Sequence, residues 1–409
     1  MHTAPAAGAE LYVARQPILD VHGRVHAYEL LFRDGPGAAF RGEGDTASRA
    51  ILDDTVLLGL ERYTNGLPCF VNCTVEALTQ RRVQVLPASM TVLVIPADAE
   101  PTPQLIEVCL ELKASGFRLA LDGYAWKPEL QPVAERADYI AVDFSLLDAA
   151  ARDKVCRQLS QIAVAKIARR VDTQEDYQQA LAAGFTLFEG AYFCQPVVLK
   201  KGKVAANRFF HFELLRHLNR DPIDLKKVAE LVLRDAALTF RLLRLVNSPL
   251  CAIQREVTSI EAALLIIGEQ TFRRIATLAI LSELNADQPQ EILQMALLRA
   301  RFCALAAEQC ALDTGEQYLL GLLSLLPAML GLPMEALTPS LPLRSEIRDA
   351  LEGTANPERC LLAWLELHEH GDWAACDAIV EANSLNIERI VRSYGEAGDW
   401  AKATLQSAA

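Results

Sequence analysis

Two hydrophobic rhythms divide this chain. Over residues 11–199, short runs of consecutive apolar residues alternate with stretches of helical period. The runs are LYVARQPIL, VHAYELLF, PCFVNCT, MTVLVIP, RLALDGY, YIAVDF, IAVAKIA and TLFEGAYF. Their unbroken apolar character suits strands buried on both faces, as in a parallel sheet. Between them, ASRAILDDTVLLGLERY, PQLIEVCLELKASG and TQEDYQQALAAG read as helices, the last two stopping at Gly116 and Gly184, positions suited to a left-handed C-cap. Repeated β–α alternation over this length predicts a (β/α) barrel or an open doubly wound sheet, and the periodicity leaves both open. The first two runs flank the short polar turn Asp20–Arg24, which contains Gly23, so they are expected to form an antiparallel hairpin rather than a crossover.

From about residue 204 the strand pattern gives way to amphipathic helices: FFHFELLRHL, DLKKVAELVLRD, LTFRLLRLVN, SIEAALLIIG, TFRRIATLAILSEL and EILQMALLRARFCALAAEQC. Asp224 and Ser259 are placed to cap two of them. The pattern predicts an all-α second half running to about residue 400, with PVVLKKGKVAANR as the link. The expected organisation is an N-terminal tail (1–10), an α/β domain (11–199), a linker (200–207), an all-α core (208–335) and a C-terminal helical extension (336–409).

Composition narrows the function classes. The 409 residues are 51% hydrophobic and 22% charged, with a net charge of −12. That argues against broad, non-specific nucleic-acid binding, which depends on Lys and Arg neutralising phosphates. Arg169-Arg170 and the Lys200, Lys201, Lys203 group read as solvated surface charge. Ten cysteines without C-x-x-C pairs are expected to be reduced, mostly buried thiols. The N-terminus shows no signal-peptide pattern, and the longest apolar run, residues 318–333, contains Pro327 and reads as a buried helix pair rather than a membrane span. A soluble, cytoplasmic protein is expected.

Seven segments occur in the order found in the EAL phosphodiesterases of cyclic di-GMP, which the first domain resembles. ARQPILD (14–20) is similar to the opening Q-P-I segment, and AYELLFR (27–33) to the signature itself. FVNCT (70–74), ALDGYA (120–125), YIAVDFS (139–145), RRVDT (169–173) and FEGAYFCQP (188–196) follow. The resemblance implies a TIM-like α/β barrel of EAL type. It makes Glu29, Asn72, Asp122 and Asp143 the surviving metal-binding positions, and Gln16, Leu31 and Arg33 the positions that contact cyclic di-GMP.

Departures from the family pattern are numerous. Val94 stands for a metal-binding Glu, Ala97 for a second acidic position, Gly123 for the second Asp of its loop, Ala141 for the water-orienting lysine and Arg169 for another carboxylate. Glu189 replaces a glutamine, and Asp172 keeps its charge on a shorter side chain. Two-metal hydrolysis needs two cations about 3.5–4 Å apart held by several carboxylates. The remaining ligands imply no cofactor, or at most one weakly bound Mg²⁺. The expectation is therefore that the chain is not an enzyme. A residue-level alternative is an internal salt-bridge network of Glu29, Arg33 and Asp122.

RDAALTFRLLRLVNSP (234–249) resembles the HDOD module in Asp235, Leu238, Leu242, Leu243, Asn247 and Ser248, and SIEAALLIIGEQTFRRI (259–275) resembles the helix that follows. In YLLGLLSLLPAML, Ser324 stands where related hydrolases have a metal-binding histidine, and no His-Asp dipeptide occurs anywhere in the chain. Asp235 and Asn247-Ser248 are expected to act as helix start and stop, His211 and His217 to pack, and Trp364, Trp373 and Trp400 to sit in a helical core. Together the resemblances imply a degenerate EAL barrel fused to an HDOD domain, regulating through protein–protein interaction an unidentified signalling partner, in behaviours such as motility, biofilm formation or virulence. The alternatives are an inactive cyclic di-GMP receptor and a weak residual phosphodiesterase; a homodimer is compatible with the family.

Overall fold

A computed structural model describes residues 12–33, 64–96, 98–123, 131–143, 149–159, 164–194, 206–218, 225–247, 251, 253, 257–285, 288–341 and 343–408. The predicted helix around residues 47–63, the Asp224 cap, Ala97 and the 200–205 lysines lie outside these residues, as does the side chain of Arg33.

Each of the eight apolar runs contains a strand, and together they close a barrel: β1 (Tyr12–Asp20), β2 (Val25–Arg33), β3 (Cys69–Asn72), β4 (Thr91–Pro96), β5 (Arg118–Asp122), β6 (Tyr139–Asp143), β7 (Ala165–Arg169) and β8 (Leu187–Glu189). Closure removes the edges that an open sheet would expose. β2 through β8 are parallel, while β1 runs antiparallel to both β2 and β8. The hairpin expected between β1 and β2 is present. Asp20 shapes its turn by accepting from the backbone N–H groups of His22 and Arg24 at 2.8 and 2.9 Å, and Gly23 supplies the left-handed residue at φ 71°.

The inside of the barrel follows from the period of two. Ile18, Ala27, Phe70, Val92, Val94, Ala120, Tyr139, Ala141, Ile167 and Leu187 form its apolar core. Two residues further along a parallel strand, the side chain returns to the same face. That step reaches Glu29 from Ala27, Asn72 from Phe70, Asp122 from Ala120, Asp143 from Ala141, Arg169 from Ile167 and Glu189 from Leu187. A dry plug is thus topped by polar groups at the C-terminal ends of the strands, the end at which barrels of this kind carry their sites.

Helices start and stop as the sequence chemistry requires. Thr102 and Thr173 cap Pro103–Ala114 and Gln174–Ala182 by accepting from Leu105 and Asp176 N–H, and Gly116 and Gly184 follow at φ 92° and 86°.

The chain divides into two compact units: Met1–Phe193 with Glu366–Ala382, and Cys194–Leu365 with Asn383–Ala409. The second is all-α, with helices Ala206–Leu218, Leu225–Val232, Ala236–Val246, Ile260–Leu284, Gln290–Ala306, Thr314–Leu323, Leu326–Leu330 and Ile387–Ala408 among its elements. Ser259 caps the long helix Ile260–Leu284, which kinks at Gly268 (φ 75°, ψ 165°). The 318–333 run forms the expected pair of buried helices, with Pro327 in the first turn of the second. Trp364 stacks on Phe302 in the core, 5.3 Å between ring centroids, and Trp400 meets Tyr318 edge-on. No described helix is long and apolar enough to cross a membrane.

Candidate functional site

Strand register brings the polar groups of the barrel mouth together around one guanidinium. Arg169, at the end of β7, places Nη1 2.5 Å from Asp122 Oδ1, Nη2 2.9 Å from Glu29 Oε2 and Nε 3.2 Å from Glu189 Oε2. Asn72 completes the group by donating from Nδ2 to Glu29 Oε1 at 2.8 Å. Glu29 and Glu189 are buried, at 3% and 4% exposure, while the Asp122 side chain is 28% exposed.

Local backbone chemistry fixes this arrangement. Arg170 adopts a left-handed conformation (φ 52°), which turns the chain directly after Arg169. Val171 N–H then donates to the Glu189 carbonyl at 3.0 Å, and Tyr192 N–H donates to the Val171 carbonyl at 3.0 Å. Gly190 sits at φ 143°, where a Cβ would overlap the Val171 backbone. The ends of β7 and β8 are thereby locked side by side. Asp122 Oδ1 also accepts from Gly123 N–H at 2.7 Å, with Gly123 at φ 61°.

The electrostatics follow from burial. Burial pulls the Arg169 guanidinium down, and Glu189, Glu29 and Asp122 outweigh it and hold the pKa above the ordinary arginine value. Burial pushes the Glu189 carboxyl well above the usual range; Arg169 opposes the rise and Glu29 adds to it.

Several sequence expectations change. Arg169 is not a solvated surface charge; it is the centre of the cluster, with its side chain 20% exposed. Among the described residues the internal network forms around Arg169, with Glu29, Asp122 and Glu189, because a bulky cation two residues beyond the core position Ile167 must face the barrel axis. Asp143 stands apart, paired with Arg170 at 3.2 Å. Val94 and Ala141 belong to the apolar core. Asp172 caps the chain after β8 by accepting from Ala191 N–H at 3.0 Å. Gln16 and Leu31 lie on β1 and β2 beside the cluster, Gln16 opposite Glu29 in the register. Glu189, named in the sequence only as a departure from the family pattern, joins the cluster because it lies two residues beyond the core position Leu187.

The EAL resemblance implies divalent cations, and the arranged residues do not fit a pair of them. A guanidinium already bridges the three carboxyl groups, and the described residues include no group of three or more His, Cys, Asp or Glu able to hold an ion.

In the helical unit, Asp235 caps Ala236–Val246 by accepting from Leu238 N–H at 3.0 Å, and His211 Nε2 lies 3.2 Å from Asp235 Oδ2. Asn247 closes the same helix and clamps Val257 through both backbone groups, at 2.7 and 2.8 Å. Ser324 Oγ accepts from Arg299 Nη1 at 3.1 Å and donates to the Gly321 carbonyl at 2.8 Å.

A closed barrel of EAL type followed by an HDOD helical domain defines the class, and the chain belongs to the EAL–HDOD family. The HDOD domain family matches residues 210–331. YuxH of Bacillus subtilis (strain 168), an uncharacterized protein, is 30% identical over 401 residues, covering 95% of this chain and 98% of that protein. CdgJ of Vibrio cholerae serotype O1, named a cyclic di-GMP phosphodiesterase, is 31% identical over 401 residues, covering 96% of this chain and 92% of CdgJ. Among solved structures, the barrel is similar to BlrP1 of Klebsiella pneumoniae in a calcium/cyclic di-GMP complex: 20% identity, TM-score 0.38, 46% of this chain and 56% of that one. It is also similar to the EAL domain of DcpA from Mycobacterium smegmatis: 16% identity, TM-score 0.37, 44% of this chain and 90% of that one.

These relatives correct one expectation. The reading that the chain is not an enzyme is overturned by CdgJ, a match along nearly the full length whose name states phosphodiesterase activity.

Proposed function

We propose that the barrel mouth handles cyclic di-GMP and opens its phosphodiester bond, making the chain a cyclic di-GMP signalling phosphodiesterase whose resident cation is Arg169. The cluster of Arg169 with Glu29, Asp122 and Glu189 carries this reading, together with the name of a relative alike over nearly the whole chain. A guanidinium is a strong phosphate partner and places positive charge where a phosphodiester gains negative charge as water attacks. Asp122 is the most exposed carboxylate around it and spends a single oxygen, Oδ1, on both Arg169 and Gly123 N–H. It is therefore the group offered to take a proton from the attacking water.

The test incubates the full chain with cyclic di-GMP under chelator, magnesium and manganese, and separates cyclic from linear product chromatographically. Linear product that disappears in Asp122→Asn supports the reading. Calorimetric binding without product under all three conditions refutes the hydrolytic part, and absence of binding refutes the site.

A second, compatible reading concerns regulation. The helical unit exposes Leu233 (54%), Phe240 (69%), Leu265 (87%) and Ile266 (55%). These four side chains are the candidates for a contact through which the unit regulates by protein–protein interaction. Phe240→Ser with Leu265→Ser is expected to abolish partner binding and leave the turnover of cyclic di-GMP unchanged.

A further inference from the structure

Residues Glu366–Ala382 pack with the barrel although the chain on both sides of them belongs to the helical unit. Their contact with the barrel falls on its mouth. Gln16 Nε2 donates to the Glu369 backbone carbonyl at 3.0 Å, across 353 positions of sequence. Gly371 rests on Leu31, so closely that a Cβ there would lie 2.7 Å from Leu31 Cδ1. Gln16 is the register partner of Glu29, and Leu31 is the next residue of β2 on the face of Glu29. The segment therefore rests on the β1–β2 side of the rim, next to Glu29, one of the Arg169 partners.

The sequence builds this corner for close approach. The helix Cys360–Glu369 ends in a Schellman turn: Gly371 N–H donates to the His368 carbonyl and Asp372 N–H to the Leu367 carbonyl, both at 3.0 Å. Gly371 is the left-handed residue, at φ 72°. Asp372 opens the next helix, Trp373–Ala382, by accepting from Ala375 N–H at 3.1 Å. His368, 1% exposed, meets the Trp373 ring edge-on at 5.0 Å and stiffens the corner from within. A glycine serves both needs at once: it adopts the positive φ and leaves room for Leu31.

We propose that this helix–turn–helix corner is an intrachain occupant of the mouth, which cyclic di-GMP must displace to reach Arg169. The proposal rests on the reading that the mouth takes this dinucleotide. A site whose open form is a minor population binds with affinity reduced by that fraction, and ligand then shifts the balance toward the open form. Occupancy of the mouth is thereby converted into release of residues 366–382, which are joined at both ends to the helical unit.

The test follows hydrogen exchange of peptides covering 366–382 in the full chain, with and without cyclic di-GMP, beside calorimetric titration of the wild type and Gly371→Val. A β-branched residue at positive φ is strongly disfavoured and would also press on Leu31. Ligand is expected to speed exchange in 366–382. Gly371→Val is expected to show fast exchange without ligand and to bind about tenfold more tightly. Binding that leaves exchange in 366–382 unchanged, or slows it, makes the corner a wall of the site and overturns the proposal; this arm uses the wild type and does not depend on how well the variant folds. Equal affinity of a folded Gly371→Val also overturns it. No binding by either protein removes the underlying reading of the mouth instead.

Discussion

Replacing Arg169 by glutamine is the most searching perturbation of this barrel. The guanidinium is the shared counter-charge of three carboxyl groups, two of them at 3–4% exposure. Removing one partner of a buried ion pair costs about 3–5 kcal/mol, because the remaining charge is left without compensation. Against a total stability on the order of 5–15 kcal/mol, that loss is large. The assay is urea unfolding of wild type and Arg169→Gln, with exchange of barrel peptides confirming that the loss belongs to the barrel. Two further outcomes come from the same geometry. Arg169→Met combined with Glu29→Gln and Glu189→Gln removes the guanidinium together with the two buried carboxyl groups, leaving only the part-exposed Asp122, and is expected to recover much of the loss. Magnesium or manganese is expected to raise the melting temperature of Arg169→Gln and not of the wild type. An ion present at a hundred times its dissociation constant would contribute about 2.7 kcal/mol. A single variant within about 0.5 kcal/mol of wild type would refute the claim that Arg169 holds the mouth together.

Other expectations follow from separate parts of the molecule. Gly190→Ala forces a Cβ into the Val171 backbone and is expected to destabilise the β7–β8 closure by about 3 kcal/mol or more, read as a lowered melting temperature or insoluble expression. Asn247→Ala removes both hydrogen bonds to the Val257 backbone and should cost about 1–3 kcal/mol in chemical unfolding, with Asn247→Asp retaining the acceptor half and losing less. Cys310 and Cys360 place their Sγ atoms 3.3 Å apart, both half-buried. A low-molecular-weight disulfide oxidant is expected to join them, with the loss of two hydrogens seen by mass spectrometry and absent in Cys360→Ser.

Much of the scaffold was legible because the signals are local. Eight apolar runs became eight strands, since a strand buried on both faces can carry only such a sequence. Ser259 and Asp235 cap helices as expected, and Thr102 and Thr173, not singled out in the sequence, do the same, because a side-chain oxygen one residue before a helix meets its free N–H groups whatever the wider fold. The site was legible only in part. Glu29, Asn72 and Asp122 were found through the resemblance of their segments, and a period of two places them on one face. That Arg169 and Glu189 complete the group, and that Asp143 turns to Arg170, was not visible, because electrostatic pairing depends on which strand ends lie side by side.

The chain's own order of residues determined its alternation of strands and helices, its change to an all-α second half and the polar collar two steps beyond six of the core positions. Only the closed barrel decided the rest: that one arginine would neutralise carboxylates lying up to 140 positions away from it, and that Glu369 and Gly371 would come to rest on Gln16 and Leu31. Local propensity acts over a few bonds, whereas charge pairing and close packing act through space, and space is assigned only when the barrel shuts.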